Sequence, residues 1–156
     1  MRRIIGFLLM TLLVSSILFP VNASGAKKAK KVVVVSNPEY IKCVVENALQ
    51  GIPGIKVYDE KRTPSRTKID YIIKAKILFC RINTDYSYSR CNPMEKADVA
   101  VQIKVICANN GRIYDSVVGE ASASAPRWQN RNVKFESIME AIHATIASIR
   151  WVDLTN

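Results

Sequence analysis

The sequence predicts an α+β domain: a mixed sheet of about five strands with two helices packed on one face, strands 3–5 forming an antiparallel meander. Three observations carry this. Residues 38–50 and 135–149 repeat apolar side chains at helical spacing, so each segment has one apolar stripe. Residues 69–82 and 99–108 alternate apolar and polar side chains, the pattern of a sheet with one solvated side. Between two strand-like runs stands "NNG", 109–111, whose residues tolerate the positive φ that a tight hairpin needs. One-sided helices and a one-sided sheet must bury each other.

Each element has its own signal. "KVVVV", 31–35, is a continuous apolar run suited to a strand covered on both faces. In "SNPE", 36–39, Asn37 is placed to cap a helix starting at Pro38, where the missing N–H costs nothing. Ile41, Val44, Val45, Ala48 and Leu49 form its stripe, and Gly51 with Pro53-Gly54 stops it. Ile55 to Tyr58 is a short second strand, followed by a polar loop at 59–68. The third strand runs from Ile69 to about Ile82, with Ile73, Ala75, Ile77 and Phe79 on one face and Lys74 and Lys76 on the other. A polar loop, 83–96, leads to the fourth strand, Val99 to Ala108, which turns Val99, Val101, Ile103, Val105 and Cys107 inward. The fifth, Arg112 to about Ala121, returns antiparallel and fades into "GEASASA", 119–125. A linker, "SASAPRWQNRN" at 122–132, precedes a last helix striped by Phe135, Ile138, Met139, Ile142, Ile146 and Ile149.

The first residues bear on compartment. Arg2 and Arg3 precede an apolar run from Ile4 to Phe19, then Pro20, then small residues ahead of a cut after Ala23: the parts of a secretory signal peptide, in order. The run is shorter than the roughly 20 residues a membrane span requires. The expected organisation is therefore a signal peptide at 1–23, a basic flexible leader at 24–31 and a single domain at 32–156, periplasmic or secreted, with no transmembrane span after cleavage. Removing the signal leaves 133 residues and lowers the formal charge from +10 to +8. Lys27, Lys28, Lys30 and Lys31 supply part of that charge, and four lysines without interleaved aromatics read as a solvated tail.

Four cysteines in an exported chain suggest disulfides. Cys80 near a strand end and Cys91 in the following loop are expected to pair, a closure worth about 3 kcal/mol for a loop of this length. Whether Cys43 and Cys107 pair is left open.

No catalytic set stands out. Glu140 and His143 have the spacing of a carboxylate-bridged iron site, but such a site needs that motif twice, and His143 is the one histidine. Ser65 and Lys68 have the spacing of penicillin-interacting enzymes without the accompanying motifs, and Ser65 follows a proline in a loop. The reading is non-enzymatic, with no cofactor and no metal. Two groups of surface residues are candidate partner-binding sites: Tyr86, Tyr88 and Arg90 in the polar loop, and Arg127, Trp128 and Arg131 in the linker. Tyrosine, tryptophan and arginine dominate protein interfaces because they offer large area at low entropic cost. For Trp128 the competing reading is core. Aromatic plus arginine also suits single-stranded nucleic acid, but export makes nucleic acid an unsuitable ligand here.

The order "VVVV", helix, short strand, "IDYIIKAKI", loop, "ADVAVQIKVICANNGRIYDSVVGEASA" and "ESIMEAIHATIASI" resembles a small bacterial envelope-assembly domain. That domain occurs in the CsgG-like curli secretion channel, the penicillin-binding-protein activator lipoproteins, the N-terminal domain of the Tol-system periplasmic protein, and flagellar accessory proteins. The positions carrying the resemblance are Asp70, Tyr71, Gly111, Gly119, Ala141 and Ala144. The resemblance implies an adaptor that binds another envelope protein in cell-envelope assembly or maintenance. The alternative is a small-ligand or peptidoglycan-binding module. The chain departs from the pattern in having no room for a helix at 59–68, no lipid-bearing cysteine, and a loop at 83–96 without membrane-crossing alternation.

Overall fold

A computed structural model of the 156-residue chain describes residues 28–59, 61–64, 67–87 and 92–155. The expected signal peptide, together with Lys27, Ser65, Tyr88, Arg90 and Cys91, lies outside the described residues.

The elements are β1 (Lys30–Ser36), α1 (Glu39–Gln50), β2 (Ile55–Tyr58), β3 (Tyr71–Asp85), β4 (Met94–Cys107), β5 (Ile113–Pro126), α2 (Val133–Ser148) and α3 (Trp151–Thr155). The sheet order is β2-β1-β3-β4-β5, with β1 parallel to both neighbours and β3, β4 and β5 antiparallel. Helix α1 lies over β1 and β2, α2 lies over β4 and β5, and the two helices touch. One continuous core joins them: Val32, Val34, Ile41, Val45, Ile73, Val101, Ile103, Ile138 and Ile142 are all essentially sealed from solvent. The other face of the sheet is open, and the α+β architecture expected from the pattern is the one present.

The "VVVV" run is covered twice. Val32 and Val34 enter the core, while Val33 and Val35 face a depression lined by Thr63, Pro64, Ile69 and Ile72. Asp70 locks the start of β3 to β1, since its carboxylate accepts the Lys31 N–H at 2.8 Å and its own N–H donates to Lys31 O at 2.9 Å.

The tail "GEASASA" is strand, not linker, because β5 runs on to Pro126. Its small residues have a steric cause. A Cβ at Gly119 would overlap Thr145 Oγ1 and come within 2.8 Å of Ala141 O, so only glycine lets α2 lie this close to the sheet. Ala121, Ala123 and Ala125 follow on the same face. Beside them Ser137 of α2 enters the ladder itself: its Oγ accepts the Ala123 N–H at 2.8 Å and its hydroxyl donates to Ala97 O at 2.9 Å.

Several expectations are corrected. Strands β3 and β4 are longer than expected, so the 83–96 loop shrinks to a short hairpin end. A bulge between Ile77 and Phe79 reverses the side-chain alternation, which moves Phe79 from the core face to the open face. Asn37 does not cap α1, whose N-cap is Pro38 without a side-chain bond; Asn132 does cap α2, accepting the Phe135 N–H at 3.0 Å. The short α3 was not foreseen, and its Trp151 and Leu154 complete the core. Cys43, Cys80 and Cys107 are free thiols. Cys80 is not near a strand end: five further residues carry β3 about 17 Å beyond it. Cys43 is exposed on the outer side of α1, whereas Cys107 lies half-buried on β4, so the second pairing is not made either.

Candidate functional site

Strand β1 stops at Ser36, opposite Ala75. Beyond that point β3 has a partner only on its β4 side, so Lys76 to Asp85 is a free sheet edge. Helices α1 and α2 both begin at this end, α1 directly after β1 and α2 directly after β5 with its intervening 3₁₀ turn, Arg127–Gln129. The free edge, the β3–β4 hairpin end, the 3₁₀ turn and two helix N-termini therefore share one end of the molecule, the distal end.

That end collects the apolar surface. Nine large hydrophobic side chains are exposed among the described residues, and seven of them are here: Tyr40, Leu78, Phe79, Ile82, Tyr86, Trp128 and Phe135. The rings of Tyr40 and Phe135 sit 6.5 Å apart and, with Asn132, Lys134 and Ile138, line a groove of about 360 Å³. Ile82 lines a neighbouring depression of about 410 Å³ with Glu95, Arg131 and Val133. Exposed apolar side chains gathered in one region mark interaction sites, whereas scattered ones need no explanation.

The structure places Tyr86, the described member of the first candidate group, at the same end as Arg127, Trp128 and Arg131. The Arg127 N–H donates to Pro93 O at 3.0 Å, so the 3₁₀ turn is tied to the base of the hairpin that carries Tyr86. Trp128 is 68% exposed and Tyr86 56%, which removes the core reading of Trp128. Arg127 is exposed, while Arg131 is held: its Nε and Nη2 grip Glu136 at 3.0 and 2.5 Å, a forked pair that raises the guanidinium pKa. Phe79 and Phe135 were missed because they fall on strand and helix stripes that read as core, and Tyr40, Leu78 and Ile82 because they lie off those stripes without a signal of their own. The signal that could have found them is the end of β1 at Ser36, which leaves the second half of β3 uncovered.

The rest of the titratable surface is structural. Lys42, almost wholly buried on α1, faces Asp59 at 3.4 Å, Glu39 at 3.7 Å and Glu46 at 3.8 Å. Burial lowers the Lys42 pKa, but Glu46, Asp59 and Glu39 together outweigh it and leave the ammonium raised. Glu140 and His143 are both exposed, and among the described residues no three His, Cys, Asp or Glu side chains gather as a metal site would require. At the opposite, proximal end Lys28, Lys30, Lys31 and Lys68 surround Asp70, and Lys31 and Lys56 reach over the Tyr58 ring at 5.8 and 5.4 Å. No helix among the described residues is long and apolar enough to cross a membrane.

No known family model matches the chain, and no curated protein matches it in sequence. Solved structures do match in fold. A PelC dodecamer from Paraburkholderia phytofirmans superposes with a TM-score of 0.52 at 17% identity, covering 78% of this chain and 88% of that one. A hypothetical protein from Chlamydia trachomatis gives 0.52 at 12% identity, over 78% and 95% of the two chains. The chain thus shares the fold of the PelC subunit. The likeness does not single out the curli channel, the penicillin-binding-protein activators or the Tol protein.

Proposed function

We propose that this protein is an exported, non-catalytic protein-binding domain, an accessory of bacterial cell-envelope assembly or maintenance, whose distal end grips another envelope protein. The observation that carries the reading is the gathering of seven exposed large hydrophobic side chains around one free sheet edge. Tyr86, Trp128 and Arg127 supply the aromatic and arginine anchors that interfaces favour. Tyr88 and Arg90 belong to the same hairpin by sequence and extend the proposed patch, while Arg131 frames it through Glu136. Export rests on the signal-peptide pattern of residues 1–23, and the envelope setting on the sequence resemblance.

The test is crosslinking in living cells from a photoreactive residue placed at Tyr86 or Trp128, with Ile113, exposed at the far end of the sheet, as the control position. A discrete envelope protein captured from the first two positions and not from the third supports the reading. Equal, diffuse labelling from all three sinks it. N-terminal sequencing of the mature protein should begin at Ser24.

Trp128, so widely exposed beside Arg127, also favours a second reading, a peptidoglycan-binding module. Retention on peptidoglycan that survives high salt and is abolished by Trp128→Ala would replace the first reading with this one.

A further inference from the structure

We infer that the free edge of β3 is a self-association site, at which a second copy of this chain adds its own β3 antiparallel and extends the sheet across a two-fold axis at Asn83. The inference names a partner for the distal end and so rests on reading that end as an interface.

The edge is long and little guarded. From Lys76 to Asp85 every second residue turns an unpaired N–H and C=O outward, and among the described residues no backbone group of the loops fills them. Natural sheets protect such edges with prolines, lysines, bulges, covering helices or inward charges. Here there is no proline, and Lys76 and the bulge at 77–79 both stand at the start of the segment, leaving 80–85 without a lysine, a proline or a bulge.

The charges on this edge match a reversed copy of themselves. Beyond the bulge, Phe79, Arg81, Asn83 and Asp85 lie on the open face, while Cys80, Ile82 and Thr84 lie on the helix side. An antiparallel pairing centred on Asn83 sets Arg81 opposite Asp85 of the copy, and Asp85 opposite Arg81 of the copy. The same register places Ile82 against Thr84 of the copy, and Cys80 against Tyr86 of the copy. Centring on Arg81 or on Asp85 would instead set like charges face to face, which destabilises strand pairs. Centring on Ile82 or Thr84 leaves both charges unmatched. Of the five registers from 81 to 85, only the one at Asn83 makes two opposite-charge pairs. Arg81 and Asp85 are four residues apart on one strand, too far to satisfy each other, and the Asp85 carboxylate bonds the neighbouring Ser87, through its N–H at 2.7 Å and through its side chain.

A two-fold axis perpendicular to the sheet keeps both helix layers on one side, so the result is a continuous ten-stranded sheet, five strands from each copy. The contact is isologous and closes at two copies, which protects against open-ended growth. Five strand residues a side, 81–85, is far fewer than the roughly 20–30 of a standard interface, so the dimer is expected to be weak, reversible and concentration-dependent.

The experiment is sedimentation of the full mature chain over a wide concentration range, with variants. The wild type should shift from monomer to dimer with rising concentration. Asp85→Arg and Arg81→Glu should each weaken the dimer at least tenfold, and the double variant carrying both should restore it. Because Arg81 also faces Asp98 within the chain, Asp85→Arg is the cleaner single change. In a chain with its four native cysteines replaced by serine, Asn83→Cys should give a covalent dimer on mild oxidation, and a cysteine at Ile113 should not. A monomer at every concentration, or a dimer indifferent to all three charge variants, overturns the inference. If that happens while Tyr86 and Trp128 still capture a distinct envelope protein, the protein-binding reading stands and only the second copy is withdrawn.

Discussion

Strand β3 is one strand with two environments. Its first part, Tyr71 to Ala75, has a strand on each side and lies under the helix layer, and Ile73 is fully sealed. Its second part, Lys76 to Asp85, has a strand on one side only, and Ile82 is 48% exposed. Both stretches keep apolar side chains, four of five in "YIIKA" and five of ten in "KILFCRINTD", so composition alone does not mark the change. Environment is set instead by where a neighbour, β1, happens to end. The lesson is that one strand can be core scaffold and candidate binding edge at once. The proximal half holds the edge rigid, and the distal half has apolar side chains that folding does not consume.

The comparison breaks most sharply at its two isoleucines. Ile73→Ala should cost about 4 kcal/mol, through lost transfer energy and the cavity left behind, whereas Ile82→Ala should stay within about 0.5 kcal/mol. Urea denaturation of the two variants measures this directly. Comparable losses would mean that the distal half is covered in the free protein, and the two-environment description would fail.

A somewhat smaller effect separates two glycines. Gly119→Ala drives a Cβ into Thr145 and the Ala141 carbonyl, at a cost of about 2–3 kcal/mol as α2 is pushed off the sheet. Gly111 occupies open space at a φ of +68°, so Gly111→Ala incurs only backbone strain, about 1 kcal/mol. Thermal melts of the pair should keep that order. If Gly119→Ala melts no lower than Gly111→Ala, the close approach of α2 to β5 is not what the small residues are for.

These residues show what sequence could and could not reveal. The helix stripes, the alternation of the fourth strand and the hairpin at Gly111 were legible because each is a local pattern with its own period or turn chemistry. Both helices falling on one face followed from one-sidedness alone. The role of "GEASASA" was not legible, since small residues in sequence read equally as linker and as a groove for a helix 20 residues further on. Phe79 was misplaced for a related reason: one extra residue at Leu78 flips the alternation, and nothing local marks a bulge. Tyr86 and Trp128 were singled out because aromatic residues in polar surroundings are conspicuous. Of their neighbours at the distal end, Phe79 and Phe135 were hidden inside stripes that look like core, and Tyr40, Leu78 and Ile82 belonged to no conspicuous group.

Ser137 sharpens the helix side of the comparison. Its hydroxyl oxygen accepts the Ala123 N–H, and its proton lies within donating distance of the Ala97 and Val133 carbonyls, each at 2.9 Å. Ser137→Ala leaves a buried donor and a buried acceptor unpaired and should cost about 1–3 kcal/mol. Hydrogen exchange should quicken at the Ala123 amide while the Ile103 amide keeps its protection. Equal acceleration at both would place the loss in the whole fold and deny Ser137 a local role.

The smallest effect lies at the Lys42 cluster, which braces α1 against the end of β2. The Lys61 backbone N–H, followed by the Lys42 and Arg62 charges, holds the Asp59 carboxyl below its usual value of 3.8, against the opposing pull of burial. A depressed folded-state pKa means stability that is present above pH 3.8 and lost as pH falls through the lower folded value. Glu46 works in the opposite sense, because burial, only partly offset by Lys42, raises its pKa and favours its protonated form. Asp59→Asn should therefore lower the urea midpoint slightly at neutral pH, and the gap from wild type should close as the solution is acidified below pH 3.8. At the alkaline end the sign reverses in source: the raised Lys42 contributes below 10.5 and is lost above it, more so in the wild type than in a variant lacking the Asp59 charge. A gap that is unchanged in acid would show that Asp59 acts through the geometry of its bond to Lys61 and not through its charge.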